Sequence, residues 1–337
     1  MDPPISVTLV HRAPRPATYS IEQLFEVIRE AMPADIQTTV IRAPSPRATP
    51  GAMFQNARAC VKADPKIAHI VGDVHYLALA CPPQRTIVTV HDLGMLTAPQ
   101  SIFARGAKRF LWFTAPLRHA RLVTVISEAT RNALLDTVNI DPGKVRIIPN
   151  CVAPQFRPRV APPRNSKFRL LHIGSTPNKN LRRVALACRG LNVTLRIVGR
   201  LRPSQEQILE EAGVCFSCVS DLSLREMVAE YHQADAVVFP SLLEGFGMPI
   251  IEAQACGVPV ITSDLEPMRT VTGGYALLVN PYSVEHIRWG IVRLMSQPRL
   301  REHLSKAGVK HAAAFRATEV AEQYAELYRE VARCDRC

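Results

Sequence analysis

Long apolar runs are missing from this chain: no stretch reaches the roughly 18–20 consecutive apolar residues that a membrane-spanning helix needs. The opening residues, Met-Asp-Pro-Pro-Ile-Ser-Val, lack the basic-then-apolar pattern of a secretory signal. Cysteine is sparse and odd in number, nine in 337 residues, which argues against a secreted disulfide framework. A reducing cytoplasm is therefore the expected compartment. Internal repeats and low-complexity segments are absent as well. Acid is missing from one stretch: between Asp92 and Glu128 there is no Asp or Glu, while Arg105, Lys108, Arg109, Arg118 and Arg121 all fall inside it.

What is present is basic and two-domain in length. The 41 Lys and Arg outnumber 29 Asp and Glu, for a formal net charge of +12. At roughly 100–200 residues per domain the chain is expected to form two, each with ample core. Hydrophobic residues at 47% and charged residues at 21% are ordinary for a soluble globular protein. Residues 1–160 carry a net +8 and residues 161–337 a net +4. Such an excess attracts phosphate as nucleic acid, anionic lipid or a phosphorylated substrate, and composition does not choose among them.

Short β-branched runs alternate with helix-length amphipathic segments. Strands are expected at Ser6–Val10, Ala68–Val71, Thr86–Val90, Leu122–Ile126 and Val145–Ile148, then at Arg169–Ile173, Val193–Val198, Ala236–Phe239, Val258–Thr262 and Ala276–Val279. Helical patterns include Ile21–Ala31, Ala129–Thr137, Leu224–Gln233 and Pro249–Ala255, with Ser20 and Gln23 as a capping box for the first. Continuous apolar strands with intervening helices predict parallel sheets covered on both faces. Five prolines in residues 149–166 mark a linker between the two series. The expected division is 1–160, 161–311 and a helical tail over 312–337 that packs on either domain. Two doubly wound domains would face each other across a cleft lined by strand C-terminal ends, where open α/β sheets bind ligands.

The most informative stretch runs Phe239-Pro-Ser-Leu-Leu-Glu244-Gly-Phe-Gly-Met-Pro249-Ile-Ile-Glu252-Ala-Gln-Ala-Cys-Gly257-Val-Pro-Val-Ile. It reads as strand, glycine loop, helix, glycine stop, strand. Gly245 and Gly247 let backbone approach a ligand, and Pro249 suits a first helical turn. The helix start offers free N–H groups and a positive dipole end to phosphate oxygens. Glu244 in the loop and Glu252, expected in the first turn, would point to the same mouth. Taken alone such a glutamate pair is a turn residue and a favourable helix-start charge.

In this order, between two strand-like runs, the stretch resembles the signature of glycosyltransferase family 4, enzymes of the GT-B architecture that use nucleotide-activated sugars. His172-Ile-Gly174-Ser-Thr-Pro-Asn-Lys179-Asn-Leu resembles that family's strand-to-helix phosphate loop, and Leu195-Arg-Ile-Val-Gly199-Arg200 its strand beside the nucleotide base. Val90-His91-Asp92, Ser127-Glu128 and Pro149-Asn150 are similar to segments of its first domain. The resemblance spans about residues 5–330.

The resemblance implies roles. Lys179 would contact the donor diphosphate, where a compact cation offsets charge on the leaving group. Glu252 would bind the ribose hydroxyls. Glu244 and the amides of Phe246, Gly247 and Met248 would hold the transferred sugar and its phosphate, with Gly174, Gly199, Arg200 and Gly245 completing the donor site. His91 would stand near the sugar; its duller reading is a packed core histidine. Retaining chemistry would proceed through an oxocarbenium-like state, resting on positioning and electrostatics. The implied activity is transfer of a hexose-type sugar from a GDP- or UDP-sugar to a hydroxyl of a saccharide or lipid-linked acceptor.

There are departures from the family pattern. An arginine common after the glycine of the phosphate loop is here Ser175, leaving Lys179, backbone amides, Arg182 or Arg183 to compensate. The glycine-rich loop of many relatives is replaced by His11–Ser20, in which Arg12, Arg15 and Tyr19 are acceptor-side candidates against the alternative of a solvated basic loop. Asp-x-Asp, the metal-chelating signature of the other main glycosyltransferase fold, is missing; Asp264-Leu-Glu266 reads as a turn, and no tightly held metal or cofactor is expected. Two Cys-x-x-Cys pairs, at Cys215 and Cys334, lie too far apart in sequence, without further ligands, to suggest zinc. Residues 102–121 mix basic and large apolar side chains. They suit either a contact with an anionic membrane surface or an ordinary packed helix, and Gly106 and Pro116 favour the latter. The alternatives are a GT-B-fold nucleotide-sugar epimerase or phosphorylase-like enzyme, or a basic nucleic-acid-binding protein. No nucleic-acid motif supports the last, so nucleic acid is not expected as a partner.

Overall fold

A computed structural model describes residues 3–13, 21–97, 102–161 and 166–334. It divides into two units: residues through Cys151 together with those from Ala317 onward, and Val152–Arg316. Each is built on one six-stranded parallel sheet.

The first unit holds β1 (Ile5–His11), β2 (Ile36–Arg42), β3 (Ile67–Ile70), β4 (Thr86–Val90), β5 (Leu122–Val125) and β6 (Val145–Ile147), in the order β2-β1-β3-β4-β5-β6. Every residue of β3, β4 and β5 is buried, as expected for strands covered on both faces. Helix Ala317–Cys334 belongs to this unit. It buries Val320, Ala321, Tyr324, Ala325 and Tyr328 in one core with Val7, Leu9, Phe25 and Ile28. A polar thread runs through that core: His69 bonds Tyr328 Oη and Thr89 Oγ1, each at 2.7 Å, and Thr89 bonds Thr124 at 2.6 Å. Each buried polar atom of the thread thus meets a partner, which keeps the apolar cost of burying it small.

The second unit holds β7 (Phe168–Ile173), β8 (Val193–Val198), β9 (Cys215–Val219), β10 (Ala236–Phe239), β11 (Val260–Ser263) and β12 (Leu277–Val279). The order is β12-β11-β10-β7-β8-β9. The strand order therefore reverses between β7 and β10 here, and between β1 and β3 in the first unit. At such switch points the loops leaving adjacent strand ends splay apart, and a ligand crevice opens.

Two strands escape the sequence reading, β2 and β9, and both are sheet edges. With one neighbour each, they need no continuous apolar run: after the buried Ile36, β2 mixes exposed and partly buried positions, and no residue of β9 is buried. The proline-rich stretch begins inside folded structure, for Val152 N donates to Phe315 O at 2.7 Å. The Ser20 capping box lies outside the described residues. Segment 102–121 forms helix Ile102–Arg109, a wide π-type turn over Phe110–Thr114, and helix Ala115–His119 with Pro116 in its first turn. Phe113 and Leu117 are buried, whereas Phe110 and Leu111 are exposed.

Candidate active site

The loops leaving β7 and β10 meet at the switch point of the second unit. After β7 the chain turns at Gly174, with φ at +91°; a Cβ there would come within 2.9 Å of the Lys179 side chain, so glycine is required. A single turn over Pro177–Lys179 follows, then Asn180 in the left-handed region at φ +66°. Asparagine tolerates that conformation better than most side chains. Its buried amide donates to Pro240 O at 3.0 Å and Pro281 O at 2.7 Å, tying this loop to those after β10 and β12. Asn178 adds two more ties, its Nδ2 donating to Leu243 O and its carbonyl accepting from Leu242 N.

Within this stitched frame, Lys179 Nζ stands 2.6 Å from Glu244 Oε1. Ser241 Oγ donates to the same oxygen at 2.5 Å, and the ammonium lies 4.7 Å from the centre of the Phe239 ring. Both members of the pair are largely shielded, with side chains 18% and 13% exposed, so their charges interact more strongly than a solvated pair would. Gly247, at φ +100°, ends the loop and caps helix Met248–Ala255. The amides just ahead of the first helical bond, Ile250 N to Gly247 O, are those of Phe246, Gly247 and Met248. Pro249 sits in the first turn, where no N–H is needed.

Because Gly247 is the cap, Glu252 is the fifth helical residue and stands in the second turn, not the first as expected from the sequence. Its Oε2 accepts from the buried Tyr231 hydroxyl at 2.6 Å. Desolvation raises the Glu252 carboxyl to about 7, while the Tyr231 bond and the Lys179 charge pull the other way.

Ser175, the departure from the pattern this loop resembles, donates from Oγ to Arg200 O at 2.6 Å and accepts from Gln205 Nε2 at its carbonyl, 2.7 Å away. The serine thus fastens the β7 loop to the β8 loop instead of presenting charge. Gly199 lies against it: a Cβ would meet Ser175 N at 3.2 Å. Arg183, one proposed substitute, is turned to Asn180 Oδ1 and to the Tyr282 ring. Arg200 is well exposed and pairs with Asp221 at 2.9 Å.

The first unit has its own cavity at its switch point, about 510 Å³, with Arg12, Asp73, His75, Tyr76, His91 and Trp112 among its walls. Arg12 is not a solvated loop residue. Its guanidinium is 12% exposed and bonds Glu22 at 2.7 Å and Asp73 at 3.4 Å. Trp112 Nε1 donates to Asp73 O at 3.1 Å, and its ring meets Tyr76 edge-on at 5.2 Å. His91, at the end of β4, stands 3.1 Å from the Val71 carbonyl through Nε2. A carbonyl only accepts, so Nε2 carries the proton and Nδ1 is the acceptor. Burial lowers this histidine to about 4, keeping it neutral near pH 7. Arg15 and Tyr19 lie outside the described residues.

Comparison with known proteins decides the family. Residues 5–156 match the family described as Glycosyltransferase Family 4, and residues 157–311 match Glycosyl transferases group 1. The chain belongs to glycosyltransferase family 4. The O-antigen chain mannosyltransferase B of Escherichia coli is 26% identical over 255 residues, covering 69% of this chain and 67% of that protein. The match to the O-antigen chain mannosyltransferase RfbU of Salmonella typhimurium is 27% identical and covers 60% of this chain and 61% of the relative. The chain thus spans about two thirds or less of the length of these curated relatives. Among solved structures, sucrose-phosphate synthase from Thermosynechococcus elongatus superposes with a TM-score of 0.74 at 19% identity, over 98% of this chain and 99% of that one. Anabaena HepE in complex with UDP and glucose gives 0.77 at 15% identity, over 97% and 100%. The fold of this glycosyltransferase is accordingly GT-B.

The second unit of the glycosyltransferase brings Gly174, Lys179, Glu244, Gly247 and Glu252 to one mouth, with Gly199 and Arg200 on the adjoining loop. Arg12 and His91 stand together in the first. Sequence reasoning missed Asn180, Ser241 and Tyr231 in the second unit, and Tyr76 and Trp112 in the first. Asn180 had a usable signal, an asparagine directly after the lysine turn and before a helix. The others are joined to the site by folding alone.

Proposed function

We propose that this chain is a retaining hexosyltransferase that takes its sugar from a nucleoside-diphosphate donor and gives it to a hydroxyl of a saccharide or lipid-linked acceptor. The observation that carries the reading is the second unit's mouth, where glycine backbone, a helix start, Lys179 and Glu244 converge at the switch point with Glu252 behind them. Unshared helix-start amides and an ammonium suit a diphosphate, and carboxylates suit sugar hydroxyls. The mannosyltransferase relatives and the UDP complex of HepE support this choice of substrate class.

In this reading the anomeric carbon loses its bond to the donor phosphate oxygen, and the acceptor oxygen bonds to the same face. The acceptor proton passes to the departing phosphate. Lys179 neutralises charge growing on that phosphate, and the helix-start amides add oriented dipoles. Neutral His91, with Nδ1 free to accept, fits a sugar hydroxyl better than it fits an acid role. The first unit's cavity is assigned to the acceptor.

A thermal-shift and calorimetric panel of UDP, GDP and their hexose conjugates tests the reading. One nucleotide series should stabilise the protein in proportion to its affinity, and the product anomer should match the donor's by NMR. Failure of every nucleotide to bind, or an inverted product, would overturn it. A second reading adds a peripheral contact with an anionic membrane surface, favoured by exposed Phe110 and Leu111 beside Lys108 and Arg109. Flotation with phosphatidylglycerol vesicles should then fall when Phe110 and Leu111 become serine, while neutral vesicles float no protein.

A further inference from the structure

Tyr231 is one of the largest fully buried side chains of the protein, and its hydroxyl is spent on a single hydrogen bond, to Glu252 Oε2 at 2.6 Å. The ring is fixed independently of that bond. It lies on helix Leu224–Gln233 and meets Phe156 edge-on, 5.6 Å between centres. A phenylalanine would keep this packing and lose only the donor, so the hydroxyl has a task besides filling space. Buried next to a carboxylate, a phenol donates and the carboxylate accepts, which fixes one oxygen and favours the ionised form.

We propose that Tyr231 is a positioning residue of the nucleotide site, occupying Oε2 of Glu252 so that Oε1 is left, oriented and ionised, for the ribose hydroxyls. This rests on the reading of Glu252 as the ribose ligand. The groups that face the Glu252 carboxylate are few. Tyr231 comes from its neighbouring helix, Lys179 from the β7 loop, and Cys256 from one turn further along its own helix; Arg159 acts on Cys256 from the segment that precedes β7. Of these, Lys179 already holds Glu244. Tyr231 is therefore the neutral group that keeps Glu252 charged against the desolvation that raises its carboxyl to about 7.

The sign of the effect follows. A carboxylate raised toward neutrality accepts hydroxyl protons more strongly above its pKa than below it, so nucleotide affinity should increase through the neutral range. Removing the Tyr231 hydroxyl raises the carboxyl further and moves that rise to higher pH. The experiment is calorimetric titration of UDP and GDP from pH 5.5 to 9 into the wild type, Tyr231→Phe, Glu252→Gln and the double variant. Tyr231→Phe should shift the midpoint of affinity upward by about one pH unit, equivalent to a loss of up to about tenfold near pH 7, and recover to within twofold at pH 9. Glu252→Gln should lose affinity most at pH 9 and approach wild type near pH 5.5, where the wild-type carboxyl is itself protonated, and adding Tyr231→Phe to it should change nothing further.

The 2′,3′-dideoxy nucleotide separates the two ideas. If it binds wild type and Glu252→Gln equally, Glu252 reads the ribose; if Glu252→Gln binds ordinary UDP and GDP as wild type does, that reading falls. If Glu252→Gln weakens binding but Tyr231→Phe keeps the wild-type midpoint, the positioning proposal alone is overturned. A uniform loss in Tyr231→Phe at all pH values, for ribo and dideoxy nucleotides alike, would also overturn it, since that marks a packing defect.

Discussion

The loops after β7 and β10 are joined by side chains bonding to backbone, and they leave a narrow mouth of glycine, amide and one short ion pair. The loops after β1, β3 and β4 leave instead a cavity of about 510 Å³ walled by rings and by an arginine already shared between two carboxylates. The contrast separates two kinds of recognition. A backbone cradle suits what every donor has in common, phosphate and ribose, and tolerates little change because glycine and left-handed positions build it. A cavity of side chains is easily resized, and suits a partner that differs from one enzyme to another. The excess positive charge of residues 1–160 falls on that more changeable side.

Removing one group from each mouth should separate the two kinds of recognition most clearly. Lys179→Ala should lower turnover by about 10²–10³, the loss typical when a group that stabilises transition-state charge is removed. Its nucleotide affinity should fall about tenfold. Trp112→Phe, which loses the indole N–H bond to Asp73 O, should leave nucleotide affinity within twofold of wild type. Titrating UDP and GDP into both variants checks this. Equal losses in the two would mean that the first unit helps hold the donor and that the division is wrong.

How much of this was legible before folding depends on the reach of each interaction. Ten strands were visible as apolar, β-branched runs, most of them interior strands and two of them, β6 and β12, sheet edges that still carry a short apolar run. The two missed, β2 and β9, are edges whose half-exposed residues carry no such run. The Glu-Gly-Phe-Gly stretch is local, so its loop-helix geometry could be read directly, apart from the one-turn misplacement of Glu252 caused by Gly247 acting as cap. Tyr231 is 21 residues from Glu252, Ser263 is 22 from Ser241, and Trp112 is 39 from Asp73. Nothing in a local pattern announces those pairs. Ser175 makes the same point in reverse: as a departure it suggested a missing charge, yet its hydroxyl has a structural partner in the next loop.

Acid distinguishes the units by a smaller effect. Burial lowers His69 to about 3 and His91 to about 4 in the first unit, and His172 to about 4 in the second. Each is neutral when folded and takes a proton near 6.5 when unfolded. Its contribution is full above 6.5 and is lost as pH falls from there to its folded value. At 1.36 kcal/mol per pKa unit, the full loss is on the order of 3 kcal/mol for His91 and His172 and about 5 kcal/mol for His69. His11 and His75, also lowered by burial, add to the first unit in the same direction, and His311 alone adds to the second. Melting followed from pH 7 to 4 should therefore show the first unit's transition dropping further than the second's. His172→Gln should flatten the second unit's dependence; a second unit that melts first in acid would reverse the expected order.

The smallest effect concerns Arg200, and its smallness makes it useful. The ion pair with Asp221 is exposed on both sides, 78% and 59%, and such pairs contribute little to stability because solvent screens them and ordering two long side chains opposes them. Arg200→Ala should leave the melting temperature unchanged. The β8 loop keeps its shape without that side chain, since it is held through the Arg200 carbonyl by Ser175 and through the Gly199 amide by Val219 O. Any change in affinity then reports contact between the guanidinium and the nucleotide, with no contribution from misfolding. We expect a two- to threefold loss for the preferred nucleotide, the size of one solvent-exposed charge contact, and expect it to shrink as salt is raised. No loss at low salt would remove Arg200 from the donor site and leave the mouth to Lys179, Glu244 and the backbone between them.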